Sequence, residues 1–208
     1  MLNIAVLVSG GGTNLQALID AQNSGMIKNG RICCVISGRE DAYALFRAKQ
    51  NGIQSRIVAR KSYESAAEFD HALLCALNEV KTDLVVLAGY LSILGGEVTA
   101  AFENRIINIH PSLIPSFCGA GFYGLRVHEA VLKYGVKITG ATVHFVSDVV
   151  DGGAIILQKA VEVEENDTPQ TLQQRVMMQA EWQLLPRAVA LYCDGKIKVE
   201  NGRTKILP

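Results

Sequence analysis

Residues 3–8 (NIAVLV) and 83–88 (DLVVLA) carry almost unbroken apolar side chains with no alternation. A strand with one wet face alternates polar and apolar residues, because successive side chains point to opposite sides. Runs without alternation need cover on both faces, and a parallel sheet between two layers of helices supplies it. Residues 31–37 (RICCVIS) and 105–110 (RIINIH) repeat the pattern, and 55–58 adds a short strand. Helical spacing fills the intervals: Leu15, Leu18 and Ile19 beyond residue 14, then 43–51, then Phe69, Leu73, Leu74 and Leu77 within 66–81. This alternation predicts an α/β chain with a doubly wound, mostly parallel sheet.

The second half changes character. Residues 128–134 read as a short helix. Residues 139–146 alternate and 155–163 form a further strand, with the turn residues Asp151-Gly152-Gly153 between them, so an antiparallel extension is expected. Thr168-Pro169 is a helix start, cap residue then proline, for a helix reaching about residue 193. Asn201-Gly202 between two short segments predicts a hairpin over 196–207.

Composition narrows the function. With 208 residues, one domain spanning 1–208 is expected, and 49% hydrophobic against 19% charged residues excludes disorder. Lys+Arg and Asp+Glu are 20 each, which speaks against a nucleic-acid partner. No apolar run approaches the roughly 20 residues of a membrane helix. The N-terminal run lacks a basic flank and ends in glycines, so a secretory signal is not expected. The five cysteines include no CxxC pair, which argues against a disulfide framework and a zinc site. A cytoplasmic chain with reduced thiols is the expectation, and no His/Cys/Asp/Glu group has metal-ligand spacing.

Three segments carry chemistry. Ser9-Gly10-Gly11-Gly12-Thr13-Asn14 joins a buried strand to a helix. Glycines let backbone approach a ligand closely, and the helix start offers free N–H groups to an anion, phosphate above all. The bland alternative is a tight turn and nothing more. No Gly-Lys-Ser/Thr follows, so this is no Walker loop. Leu15 stands where a dinucleotide fingerprint needs a third glycine or alanine, although Arg39 leaves binding of an NADP 2′-phosphate open. In Asn108-Ile109-His110-Pro111-Ser112, alternation puts Asn108 and His110 on one side at the C-terminal end of a strand, where such sheets place their ligand. A carboxamide and an imidazole there can both donate to an oxyanion. The segment 144–153 supplies Asp148 and Asp151, either as turn residues or, for Asp148, as the carboxylate that orients His110 and raises its pKa. His144 lies within a strand and reads as structural; His71 and His128 read as ordinary helical residues.

These segments, with Leu113-Ile114-Pro115 and Thr142-Val143-His144-Phe145-Val146, together resemble the phosphoribosylglycinamide formyltransferases of the folate-dependent formyltransferase superfamily, in order and over essentially the whole chain. The resemblance implies a Rossmann-like formyltransferase fold, with a nucleotide-phosphate half over 1–100 and a catalytic and folate half over 101–208. It implies formyl transfer from 10-formyltetrahydrofolate to glycinamide ribonucleotide, by a monomer or weak homodimer, with no metal, nucleic acid or membrane. Asn108, His110 and Asp148 match its catalytic trio, with His110 protonated. Gly12, Thr13, Asn14 and Glu181 match the nucleotide site. Leu91, Ser92, Ile93, Leu94, Asn108, His144, Val146 and Asp148 match the folate pocket. Ser92, Ala66, Trp182 and the loop 117–124 depart from the usual pattern. Two relatives share the trio: methionyl-tRNA formyltransferases, expected to carry an extra C-terminal domain, and formyltetrahydrofolate deformylases, with an extra N-terminal one. A nucleotide-binding module without turnover is the reading from another class.

Overall fold

The computed structural model describes residues 1–208. The first strand β1 (Leu2–Val8) alternates its side chains between two cores, and Ile4 to Val8 are fully buried. Ile4, Val6 and Val8 enter one core, Ala5 and Leu7 the other. That two-sided burial is why the run is apolar throughout, and each fully buried Val, Leu or Ile contributes about 1.5–3 kcal/mol.

Helix α1 (Thr13–Asn23) follows, then β2 (Gly30–Ser37), α2 (Tyr43–Gln50), β3 (Gln54–Ile57), α3 (Ala66–Glu79), β4 (Leu84–Leu87), α4 (Gly96–Ala101) and β5 (Ile106–His110). The chain continues through α5 (Leu125–Tyr134), β6 (Ile138–Phe145), β7 (Ile155–Glu162), α6 (Pro169–Val176) and α7 (Trp182–Cys193), and ends in the hairpin β8 (Ile197–Glu200) and β9 (Arg203–Ile206). The main sheet has the order β3-β2-β1-β4-β5-β6-β7. The first five strands run parallel; β6 is antiparallel to β5, and β7 to β6. A mostly parallel doubly wound sheet with an antiparallel extension is thus what forms. In the hairpin, Asn201 and Gly202 both take positive φ (49° and 72°), as the favoured two-residue turn requires.

The larger core lies under α1, α2, α5, α6 and α7, the smaller under α3 and α4. Three local readings shift. Helix α4 carries too short an apolar pattern to be seen in advance. Helix α5 begins three residues before 128, so His128 is a core residue with both ring nitrogens unpartnered. The helix expected from 168 to 193 is broken by a π turn at Met177–Glu181. Pro186, which offers no N–H and crowds the carbonyl four residues back, stands one turn beyond it. No helix is long and apolar enough to cross a membrane.

Strand β1 lies between β2 and β4, so the chain leaves β1 and β4 towards opposite faces, and a crevice opens beyond their C-terminal ends. The loops that line it are stitched together: Ser9 N donates to the Gly89 carbonyl (3.1 Å) and Leu91 N to Ser9 Oγ (3.0 Å).

Candidate active site

The glycine loop fills one side of the crevice. Gly12 caps α1 with φ 71° and no side-chain cap, and a Cβ there would sit 2.7 Å from Ala44 Cβ. Only glycine meets both demands. The N–H groups of Gly11, Gly12 and Thr13 have no partner in the protein. Aimed together at a helix N-terminus, they suit a phosphate. The loop borders a cavity of about 450 Å³, also lined by Asn14, Glu181 and Asn108. Asn14 Nδ2 donates to Glu181 Oε2 (2.6 Å) across 167 residues of sequence, and the Asn14 Oδ1 is buried without a partner. Burial pushes the Glu181 carboxyl up to about 7, against the opposing hydrogen bond from Asn14. Gly12, Thr13, Asn14 and Glu181, expected together, stand together.

A second cavity of about 280 Å³ opens on the other side. Leu91, Ser92, Ile93, Leu94, Asn108, His144, Val146 and Asp148 all line it, with Tyr90 and the loop 119–123 completing the wall. Tyr90, Leu91, Asn108 and Tyr123 border both cavities. Asn108 therefore stands at the junction. Each cavity draws on residues from both halves of the chain. A larger depression, about 700 Å³ between α1 and α7, is lined by neither Asn108 nor His110.

Strand β5 delivers Asn108 and His110 to one face. His144, on β6 directly opposite Asn108, settles the amide. Its Nδ1 lies 2.7 Å from the Phe145 carbonyl and must donate, so Nε2 keeps its lone pair and accepts from Asn108 Nδ2 (3.1 Å). One Asn108 N–H remains for a ligand. His110 is 4% exposed, and its Nε2 donates to the Phe117 carbonyl (2.9 Å). The atom free to gain or lose a proton is thus Nδ1.

The carboxylate that faces Nδ1 is Asp151, at 3.5 Å from Oδ2; its Oδ1 is 3.7 Å from His144 Nε2. This corrects the expectation that Asp148 fills that role. Asp148 instead accepts from Thr99 Oγ1 (2.7 Å) at the rim. The reason is the fold-back after β6. Gly153 packs so closely that a Cβ would lie 1.7 Å from the Phe145 carbonyl oxygen, and Asp151 takes φ 56°. That bend turns Asp151 inward, where Gly119 N donates to it (2.8 Å). Burial raises its pKa, yet the hydrogen bonds it accepts, that of Gly119 N among them, hold Asp151 below the usual carboxylate range. His110 is corrected too: burial outweighs Asp151 and lowers its pKa, so at neutral pH the ring is neutral before substrate arrives. The acid could not be chosen from the sequence, but the Asp-Gly-Gly run marked where the chain can bend back.

No three His, Cys, Asp or Glu side chains stand together as metal ligands. What the site offers is a phosphate seat, an apolar slot, one amide donor at their junction and a neutral imidazole backed by a carboxylate. This is the equipment of an acyl-transfer enzyme. The chain belongs to the formyl transferase family, whose profile matches residues 2–189. It is 41% identical over 202 residues to the phosphoribosylglycinamide formyltransferase of Haemophilus influenzae, covering 97% of this chain and 92% of that protein. It is 44% identical over 201 residues to the bovine trifunctional purine biosynthetic protein adenosine-3, covering 96% of this chain and about a fifth (19%) of that one. The crystal structure of glycinamide ribonucleotide transformylase 1 from Symbiobacterium toebii superposes with a TM-score of 0.94 at 44% identity, over 100% of this chain and 95% of that one.

Proposed function

We propose that this chain transfers the formyl group of 10-formyltetrahydrofolate to the amine of N1-(5-phospho-D-ribosyl)glycinamide, giving the N-formyl nucleotide and tetrahydrofolate for purine synthesis. The observation that carries this reading is the meeting of the two cavities at Asn108. One holds unpartnered N–H groups for a phosphate, and the other is a slot walled by Leu91, Ile93, Leu94 and Val146 that suits a flat pterin. Asn14 Oδ1 and Glu181 would accept hydrogen bonds from the nucleotide, which relieves a buried orphan acceptor.

The residues then divide the work. Asn108 donates its free N–H to the oxygen of the formyl carbon as the amine adds and charge builds there. The proton that the attacking nitrogen must lose passes to the His110–Asp151 pair, whose Asp151 lines the folate cavity and faces His110 Nδ1. Asp151 stabilises the imidazolium that results, and the pair returns the proton to the departing folate nitrogen. The proton that leaves one nitrogen arrives at the other, so no metal is needed. His144 keeps the Asn108 amide turned the right way. We place the chain in the cytoplasm, where its five free cysteines stay reduced.

Mixing the protein with 10-formyltetrahydrofolate and glycinamide ribonucleotide should yield tetrahydrofolate and N-formyl nucleotide in equal amount. Formate in place of the formylated nucleotide would overturn the proposal.

A further inference from the structure

The glycine loop holds its shape because something takes each of its carbonyls. Ala44 N donates to the Gly10 carbonyl (3.1 Å), Arg47 Nε to that of Gly11 (2.9 Å) and Gln16 N to that of Gly12 (2.9 Å). A trans peptide points its N–H opposite to its C=O. Capturing those three carbonyls from the α1 and α2 side therefore turns the N–H groups of Gly11, Gly12 and Thr13 the other way. Two captors are backbone groups of helices. The third, which sets the Gly12 N–H, is the side chain of Arg47.

We propose that Arg47 is a positioning residue for the acceptor's phosphate: its Nε–H fixes the Gly11–Gly12 peptide with the N–H facing the phosphate cavity. The proposal rests on the functional reading above. Arg47 does not line that cavity; it borders the depression on the loop's outer side, so it acts through the loop. Its guanidinium is itself fixed. Nη1 donates to Gln16 Oε1 (3.0 Å), and the group lies 5.2 Å from the centre of the Tyr43 ring. A Cβ built on Gly12 would lie 2.7 Å from Ala44 Cβ and 3.4 Å from Arg47 Cδ, so α2 packs close against this peptide. With the guanidinium gone, the Gly11 carbonyl loses its partner and the peptide is free to rotate, which would aim an oxygen at the phosphate.

Three substitutions separate this role from a plain charge effect. Arg47→Gln keeps an N–H donor on the same side-chain atom position and drops the charge. Arg47→Lys keeps the charge but carries its donor one atom further. Arg47→Met removes both. The readouts are kcat, the KM of each substrate and inhibition by inorganic phosphate. Arg47→Met should raise the nucleotide KM and the phosphate inhibition constant together by about tenfold or more, as expected for losing a charge-assisted hydrogen bond. Its kcat and folate KM should stay near wild type. Arg47→Gln should bind phosphate better than Arg47→Lys; the reverse order would reassign Arg47 to simple charge attraction. That comparison stands even if Arg47→Met fails to fold. Equal phosphate inhibition of all four proteins would overturn the positioning role. No phosphate inhibition of the wild type would instead overturn the loop's assignment as the phosphate seat.

Discussion

Replacing Glu181 by Gln removes one ionisable group from the wall of the phosphate cavity and keeps its shape. The Gln carbonyl can still accept from Asn14 Nδ2, which now donates to Glu181 Oε2 at 2.6 Å. In the folded chain the Glu181 carboxyl is raised from its ordinary 4.5 to about 7, with burial as the main cause. The folded state therefore binds the more protons between those values. Stability is fully present below 4.5 and is lost as pH rises from there through about 7. At 1.36 kcal/mol per pH unit the loss is about 3 kcal/mol, a large share of the roughly 5–15 kcal/mol that holds a domain together. Glu181→Gln escapes that loss. Urea unfolding of both proteins from pH 4.5 to 8.5 should show the variant gaining on the wild type by about 2–3 kcal/mol, with most of the gain between pH 5 and 7. The same variant should bind glycinamide ribonucleotide more weakly at pH 8, since the wild-type carboxylate is ionised there and accepts hydrogen bonds more strongly. Parallel stability profiles would refute the burial argument.

Other outcomes follow from the same geometry. Asp151→Asn should cut kcat by about 10²–10⁴-fold, the range for disabling a general acid–base group, whereas Asp148→Asn should leave kcat within a few-fold of wild type. The acid limb of the pH–kcat/KM profile, which reports the free enzyme, should lie below 6.5, because burial lowers the His110 pKa, and Asp151→Asn should move it lower still by removing the opposing charge. Steady-state kinetics of both variants across pH 5–8 checks this, and an unmoved acid limb would uncouple the pair. Gly12→Ala should abolish inhibition by inorganic phosphate and destabilise the fold by at least ~1 kcal/mol, since Ala resists φ 71° and its Cβ meets Ala44. Thermal melts with and without phosphate read both effects.

What could be read in advance was whatever depends on local pattern. The unbroken apolar runs at Ile4–Val8 and Leu84–Leu87 announced a sheet covered on both faces, because burial there follows directly from composition. Asn108 and His110 were legible because strand alternation fixes their shared side. The choice between Asp148 and Asp151 was not. Three residues apart in a turn, neither has a periodicity to place it, and the decision falls to the φ of Asp151 and the backbone contact at Gly153. The Asn14–Glu181 bond joins residues 167 apart, and a π turn directly carries Glu181, so local pattern could not show the pairing. Nor could it show that His110 is neutral. A neighbouring carboxylate suggested a cation, but the depth of burial, a property of the packed sheet, outweighs it.

On the proposed function, the two cavities act as one site, with the nucleotide's amine held against the formyl carbon at Asn108. The same Asn108, His110 and Asp151 would serve hydrolysis if water took the amine's place, so positioning of the acceptor decides the reaction. Converting a two-substrate encounter into an effectively unimolecular step can be worth about 7–11 kcal/mol, and water gains no comparable placement. The direct measurement is the rate of 10-formyltetrahydrofolate deformylation with and without glycinamide ribonucleotide. The rate should rise by several orders of magnitude when the nucleotide is added. Equal rates in its presence and absence would contradict the shared site and make the chain a hydrolase.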